Sequence, residues 1–506
     1  MRLKNLFQVN SPLFQDVTMG FILFCLPGIY IAITGLGAGG GKPDSSTVAN
    51  QTNAILYAVF TFCAWLSGTV VNVLKPKLSI MIGSLGYPLY IAGLWYFDRT
   101  GHKWFPLWAG AMLGMLCGIL QTVGAYISFA YPEEKDKGLF ISIQYSVKAT
   151  GAFVGALIAF CVNVHQSKAT GVSNAVYIVF IVIQMCSLPI ALIFIKHPKR
   201  IVRDDGRHIA IFKAPTLSNE LRSLMKAFFD KRLLCLFPAM FVCEMPLAMI
   251  STINAHCFDL HTRSLNNLFY QFVGILAPYL LIHILDNPNI SSRRRRGIIG
   301  TAIMGIITLG ACVGLYIWLK VVNYAHLTET PAVDWTGADF AGMFVIYMLF
   351  GLIYSGYQVV VEWTLSALTN DPSTLAQFAG MIKGTSALGI CISFIMAAQK
   401  VPTVGQLSLQ LGLYVLGYIG HFYVIAYHVP DTNYFAEVNV IAPVHVEDSF
   451  IQKGLSDEQR AMEHAKEREA ALMGAGEILE GVMALEAAPA QQNDVKHGME
   501  SAQTGK

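Results

Sequence analysis

Charge is what this chain has least of. Asp, Glu, Lys and Arg make up 13% of its 506 residues, hydrophobic residues make up 54%, and mean hydropathy is +0.51. A soluble globular domain carries about a quarter charged residues, so that class is excluded. Signatures of chemistry are equally thin. The thirteen histidines are scattered, with no i, i+4 pair beside a glutamate to hold zinc, and there is no nucleophile–base pair and no cofactor motif. The reading is no enzyme, no cofactor, no metal and no nucleic-acid partner. Nearly all ten cysteines, Cys25, Cys63, Cys117, Cys161, Cys243 and Cys391 among them, fall within apolar stretches as small packing residues, so no disulfide framework is expected. Gly35, Gly37 and Gly40 spell a dinucleotide fingerprint but follow an apolar span rather than a β-strand. Gly41-Lys42 fails as a phosphate loop, because Leu36 and Pro43 occupy its required Gly and Ser/Thr positions.

What is abundant is long apolar sequence. A bilayer crossing needs about 20 apolar residues, and twelve such stretches read at 17–37, 53–73, 78–97, 105–130, 139–164, 175–195, 233–256, 265–285, 297–319, 338–361, 375–397 and 407–428. All are expected to be helices, since unpaired backbone groups cannot face lipid. The first sixteen residues lack the shape of a cleaved signal, so the first span is expected to stay as an anchor. Six spans precede and six follow a basic segment at 196–232, which predicts an all-α membrane protein of two pseudo-symmetric six-helix bundles, 17–195 and 233–428. Glycines four apart, Gly110, Gly114 and Gly118, Gly151 and Gly155, Gly380 and Gly384, read as close helix packing.

An even number of spans puts both termini on one side. Placing them in the cytoplasm gives twenty Lys or Arg inside, Arg2, Lys4 and Arg293 to Arg296 included, against seven outside, in line with the positive-inside rule. Of two sequons, Asn50-Gln51-Thr52 then falls outside and Asn289-Ile290-Ser291 inside, leaving Asn50 as the glycosylation candidate. Residues 1–16 form a cytoplasmic N-terminus. Residues 429–506 carry 14 acidic and 6 basic residues and read as a solvated tail, with one helix from a Ser456/Gln459 capping box to about Leu485 and disorder beyond it.

Ionisable residues inside a membrane cost about 2.5–3.5 kcal/mol each at mid-span and are functional candidates by default. Three stand out. Lys148 and Lys383 lie in the equivalent fifth and eleventh spans, near the midplane, and are candidates to hold a substrate or act as counter-ions. Glu244, within FVCEMPLAMI, reads as the only carboxylate deep in any span and is the candidate for proton coupling. Two plainer readings stand beside these: Glu244 neutralises one lysine for structural reasons, or the lysines snorkel to the inner interface. Glu362 ends the tenth span at the cytoplasmic boundary and Asp339 begins it outside. Both are expected to stay hydrated, with Glu362 available to latch an inner gate.

CFDLHTRSLNNLFY (257–270), with GAGGG (37–41), NAILY (53–57), YPLY (87–90), YPEEKDKG (131–138) and NDPSTLAQFAGMIKG (370–384), resembles fungal Unc-93-like proteins, a branch of the major facilitator superfamily. The resemblance implies twelve helices around a central cavity and alternating access. It makes His261, Arg263, Asn266 and Asn267 outer-gate candidates, His261 standing where the family favours a basic residue. One departure is plain: Gly68 is followed by TVVNVLKPKLS, without the superfamily's acidic residue. The Arg293–Arg296 run reads as a topology signal or a site for anionic lipid. The function expected is transport of a small organic molecule or ion, coupled to protons. The alternative is an accessory or trafficking partner of another membrane protein, with the tail facing it. Plasma membrane and vacuole both stay open.

Overall fold

The computed structural model describes residues 8–31, 45–163, 174–212, 216–321, 333–337, 340–451 and 457–486. The glycine run at 35–41, Arg2, Lys4, Asp339 and everything past 486 lie outside the described residues. Among those described, extended structure is limited to three isolated bridges.

Helix α1, Pro12–Leu23, begins five residues before the expected start. Ser11 caps it, its Oγ accepting from Phe14 N at 3.2 Å, and Pro12 occupies the first turn, where its missing N–H costs nothing. The early start brings Asp16 into the helix, fully buried, so the bundle holds a carboxylate that the expected span boundary left outside. A π turn at Phe24–Gly28, containing Pro27, interrupts this crossing.

Helices α2 (Ser45–Ser84) and α3 (Gly86–Thr100) form a continuous apolar run of 54 residues from Thr47. At ~1.5 Å per residue this is far longer than one bilayer. The chain reverses at Lys75, whose φ is 63°, just before Pro76. Neighbour contacts prove the hairpin. A Cβ on Gly110 would lie 2.7 Å from Thr52 and one on Gly93 2.9 Å from Ala109, so residues 52 and 93 share a level, while Gly118 meets Ala64 and Gly83 meets Leu120 farther along. The described residues therefore make twelve crossings.

The remaining crossings are α4 (Trp104–Ala130), α5 (Lys137–Asn163), the broken pair α6 (Asn174–Met185) and α7 (Ser187–Phe194), then, after the short α8 (Leu217–Phe228), the broken pair α9 (Lys231–Val242) and α10 (Met245–Cys257), followed by α11 (Leu260–Leu285), α12 (Arg293–Val321), α13 (Phe340–Ala367), α14 (Pro372–Ala398) and α15 (Thr403–His428). The two halves meet where α2 packs on α14 and α5 on α11. Glycine makes the first contact possible: a Cβ on Gly380 would sit 2.6 Å from Ala64 O, and only a bare backbone allows that approach.

One end of the bundle bears the central segment and the tail, and the tail there is not a free solvated strand. Residues 433–451 and α16 (Val444–Ile451), with α17 (Asp457–Glu486), fold back onto it. Arg203 donates to Ile441 O at 2.7 Å, Arg207 pairs with Glu447 at 2.6 Å, and His208 meets Glu467 at 2.7 Å. Ile211, Ile441 and Ala470 make a small apolar core beneath. The acidic surplus of the tail thus docks on the basic central segment, and charge complementarity explains why both depart from average composition.

Candidate functional site

Lys148 and Lys383 are each the twelfth residue of a 27-residue helix, α5 and α14. Both are buried, at 7% and 5% exposure, so neither snorkels. Their environments differ. Lys383 Nζ lies 2.5 Å from Glu362 Oε1 and donates to Tyr145 Oη at 3.1 Å. Lys148 Nζ lies over the Tyr145 ring, 4.1 Å from its centroid, and makes no hydrogen bond or ion pair among the described residues.

Glu362 is therefore not a hydrated boundary group. It is 2% exposed, lies five residues before the helix ends at Ala367, and serves as the counter-charge of Lys383. Helix α13 continues farther than the apolar pattern, which stops at the glutamate itself. Tyr145 binds the pair from the other half of the molecule, its hydroxyl 2.7 Å from Glu362 Oε1 and 3.0 Å from Gln358 Oε1. The ring thus ties both lysines, one from each half, into one cluster.

Glu244 occupies the break between α9 and α10, with φ −107° and ψ −8°. It does not form the ion pair with a lysine that a purely structural role requires. Its carboxylate feels Lys383, Lys148 and Glu362 at longer range and accepts no hydrogen bond among the described residues. A small cavity with room for about one water lies between Lys148, Lys383, Glu362, Gln121 and Gln144. Gln144 in turn donates to Asp16 at 2.6 Å. The sequence reading missed Asp16, for which the Ser11-Pro12 start was the available signal.

The tail-bearing end is closed by a polar lattice across the halves. Lys137 donates to Ser366 O and, at 3.0 Å, to Thr369 O. Asp286 accepts from Gly138 N at 3.0 Å and Leu139 N at 2.5 Å. Burial pushes the Asp286 carboxyl up to about 7, against those two N–H donors, which pull it down. Asn370 donates to Glu134 at 2.6 Å. The tail joins in: Glu437 accepts from Thr369 and Asn370, and Asn433 N donates to Glu134. Burial raises the Glu437 carboxyl as well.

The other gate candidates gather at the opposite end but within one half. Arg263 Nε donates to Phe258 O at 2.8 Å, Asn266 to Asn254 at 3.1 Å, and Gln271 to Asn267 at 3.3 Å. His261 bridges Asp259 at 3.1 Å and Asp334 at 2.8 Å. Among the described residues it reaches the other half through Trp335, which touches Phe160 with ring centroids 6.3 Å apart. Asn50 lies in α2, and Thr52 of its sequon is fully buried, which leaves little of the sequon open to modification.

Two six-helix halves facing each other across a buried charge cluster define a membrane protein of the major facilitator fold. Two solved structures of one transporter bear the fold out: FucP, a major facilitator superfamily transporter, in its outward conformation matches with TM-score 0.55 at 12% identity, covering 81% of this chain and 98% of its own, and a single-residue variant of the same E. coli fucose:proton symporter matches with TM-score 0.55 at 10% identity over the same shares. Within that fold the chain belongs to the UNC-93 family, described as "Ion channel regulatory protein UNC-93", whose profile matches residues 49–398. A membrane protein of Schizosaccharomyces pombe is 42% identical over 399 residues, covering 79% of this chain and 81% of that one. UNC93-like protein 1 of Arabidopsis thaliana is 31% identical over 438 residues, covering 85% and 93%.

Proposed function

We propose that this protein moves a small organic molecule or ion across a membrane by rocking its two halves around the lysine cluster, driven by protons. The observation that carries the reading is the division of labour among four charges, Lys148, Lys383 and Glu362 buried and Glu244 half-buried. Glu362 and Lys383 satisfy each other, whereas Lys148 has only an aromatic face and Glu244 has no hydrogen-bonding partner among the described residues. An unneutralised pair at the meeting point of two halves is costly in a static protein and useful in one that alternately binds an anionic group and a proton. Lys148 then attracts the anionic part of a substrate, and Glu244 carries the proton. Broken helices at Phe24–Gly28 and Cys243–Glu244 fit this role, since discontinuous helices flank midplane sites in transporters. In this reading the tail-bearing end faces the cytoplasm.

The test is uptake and efflux of a broad metabolite panel in vesicles with an imposed pH gradient. Proton-linked flux lost in folded Glu244→Gln and Lys148→Met supports the proposal; flux independent of both residues removes it. A second reading, an accessory subunit of another membrane protein, is favoured by the family's description and by the folded tail. It predicts the reverse pattern: deletion of 447–506 abolishes partner association while neutral replacements of Glu244 and Lys148 leave it intact.

A further inference from the structure

The short helix α8, between the two halves, carries residues that neither the lysine cluster nor the tail uses. Leu217, Leu221, Met225 and, just past its end, Phe229 recur every four residues as one stripe, each 46% to 71% exposed. A soluble surface seldom leaves such a stripe of large apolar side chains open to water. At about 100° per residue the rest of the helix divides into two further sectors. Glu220, Leu224 and Ala227 are buried against the bundle, and Asn219, Arg222 and Lys226 are exposed on the other side of the stripe. Arg222 and Lys226 make no ion pair among the described residues.

The buried sector sits on the seam where the halves meet. One oxygen of the Glu220 carboxylate accepts from Asn72 Nδ2 of α2 at 2.8 Å and from Gln377 Nε2 of α14 at 3.0 Å, so α8 ties the first half to the second. Asn72 lies three residues before the reversal at Lys75. At the other end of α8, Phe228 meets Trp65 edge-to-face with ring centroids 5.4 Å apart. Trp65 is seven residues, about 10 Å, farther from that reversal along α2, and it packs in turn on Phe62, an exposed residue of the same membrane crossing. Helix α8 thus climbs the wall of the bundle to membrane level. Beyond Phe229 the exposed apolar surface resumes at Leu234 and Phe237 of α9, on the seventh crossing.

We infer that α8 is seated in an anionic membrane leaflet at the tail-bearing end, its stripe among the acyl chains and Arg222 and Lys226 among the headgroups, and that this seat holds Glu220 across the seam of α2 and α14. Interfacial helices bury large apolar residues about 5–10 Å into the boundary of headgroups and acyl chains, with basic residues along the polar edge, and that is the division of sectors here. Each exposed Lys or Arg near an anionic surface strengthens such binding about fivefold. Lipid fits the stripe better than a protein partner does, because the stripe adjoins the surface that α2 and α9 already present to the bilayer. The seat has a mechanical consequence. Separating α2 from α14 at this end breaks the bond of Glu220 to Asn72 or to Gln377, so a helix held down by lipid resists opening of the seam.

The test uses the full-length protein in nanodiscs of phosphatidylcholine, alone or with about a quarter phosphatidylserine. A photoreactive benzoylphenylalanine placed at Leu221 or Met225 is expected to crosslink to lipid, and one placed at Asn219 far less. Hydrogen exchange over 217–229 is expected to slow about tenfold or more when phosphatidylserine is present, and Arg222→Gln/Lys226→Gln should abolish that difference. Leu221→Ser/Met225→Ser should speed exchange over 217–229 and, with it, over 372–380 at the start of α14. Should the serine pair not fold, Glu220→Ala probes the same seam: exchange over 372–380 rises while crosslinking from Met225 to lipid persists. Three results each overturn the inference: crosslinks from Leu221 and Met225 that are absent or go to another protein, exchange indifferent to phosphatidylserine or to loss of Arg222 and Lys226, and exchange over 372–380 unmoved by the serine pair and by Glu220→Ala. None of these readouts depends on transport.

Discussion

The Glu362–Lys383 pair makes a quantitative claim. Removing one member of a buried pair leaves an uncompensated charge and costs about 3–5 kcal/mol, whereas removing both for neutral residues of similar size is close to neutral. Here Glu362→Gln strands Lys383, whose remaining polar partner is the Tyr145 hydroxyl at 3.1 Å, and Lys383→Met strands Glu362. At roughly 2 °C per kcal/mol, the lower end of the range for domains of a few hundred residues, each single variant is expected to melt about 6–10 °C below wild type in detergent. Glu362→Gln/Lys383→Met should recover most of that loss, so that the double variant falls short of the summed single losses by about 5 kcal/mol or more, the coupling across the double-mutant cycle. Glu244→Gln, which breaks no hydrogen bond among the described residues, should move the melting point by no more than about 2 °C. Additive single losses, or a Glu244→Gln variant as damaged as Glu362→Gln, refute the assignment of the two glutamates to separate roles.

Asp286 makes stability pH-dependent. Its carboxyl ordinarily titrates at 3.8 and is held up to about 7 in the folded protein, so the folded state keeps a proton that the unfolded state has lost. The contribution is full below 3.8 and disappears as pH rises through about 7. Between pH 5 and 7 wild-type stability should fall by at most about 1.4 kcal/mol per pH unit from this group, and melting curves of Asp286→Asn should show a shallower slope; identical slopes count against the buried latch. Arg207→Ala breaks the 2.6 Å contact with Glu447, a partly buried charged bond of about 1.5–3 kcal/mol. Limited proteolysis between 440 and 486 should accelerate about tenfold or more, and unchanged cleavage would show that the apolar contacts alone dock the tail. Gly118→Val places a Cβ 2.9 Å from Ala64 N and should cost about 1–3 kcal/mol through overpacking, seen as a lower melting point that Gly310→Val, with open space around it, does not share.

Much of the architecture was legible because a bilayer leaves one choice, a helix about 20 residues long, and hydropathy reads it directly. Lys148 and Lys383 announced themselves for the same reason, as lone charges in apolar text. Glu362 did not. It sits where the apolar run ends, and a run that ends on a charge looks the same whether the helix stops there or continues into a closed protein end. Asp16 was hidden by the same ambiguity at the other terminus of a span. The tail was misread for a different reason: its partner is not lipid or a sequence neighbour but the central segment more than 200 residues earlier, as in Arg203 with Ile441, and composition carries no record of which charged segments meet. Tyr145 read as one of several aromatic and polar residues able to line a cavity, with no face assigned, until the fold placed Lys148 and Lys383 on its ring.

The docked tail also changes where this protein ends as a folding unit. The family profile stops at residue 398 and the last apolar helix at His428, so either would be a natural place to cut. Both cuts discard Asn433 and Glu437, which tie the tail to Glu134 of the first half and to Ala367 and Asn370 of the second. A minimal version trimmed to the recognisable membrane region would fold around the lysine cluster yet lack part of the polar lattice that closes its tail-bearing end.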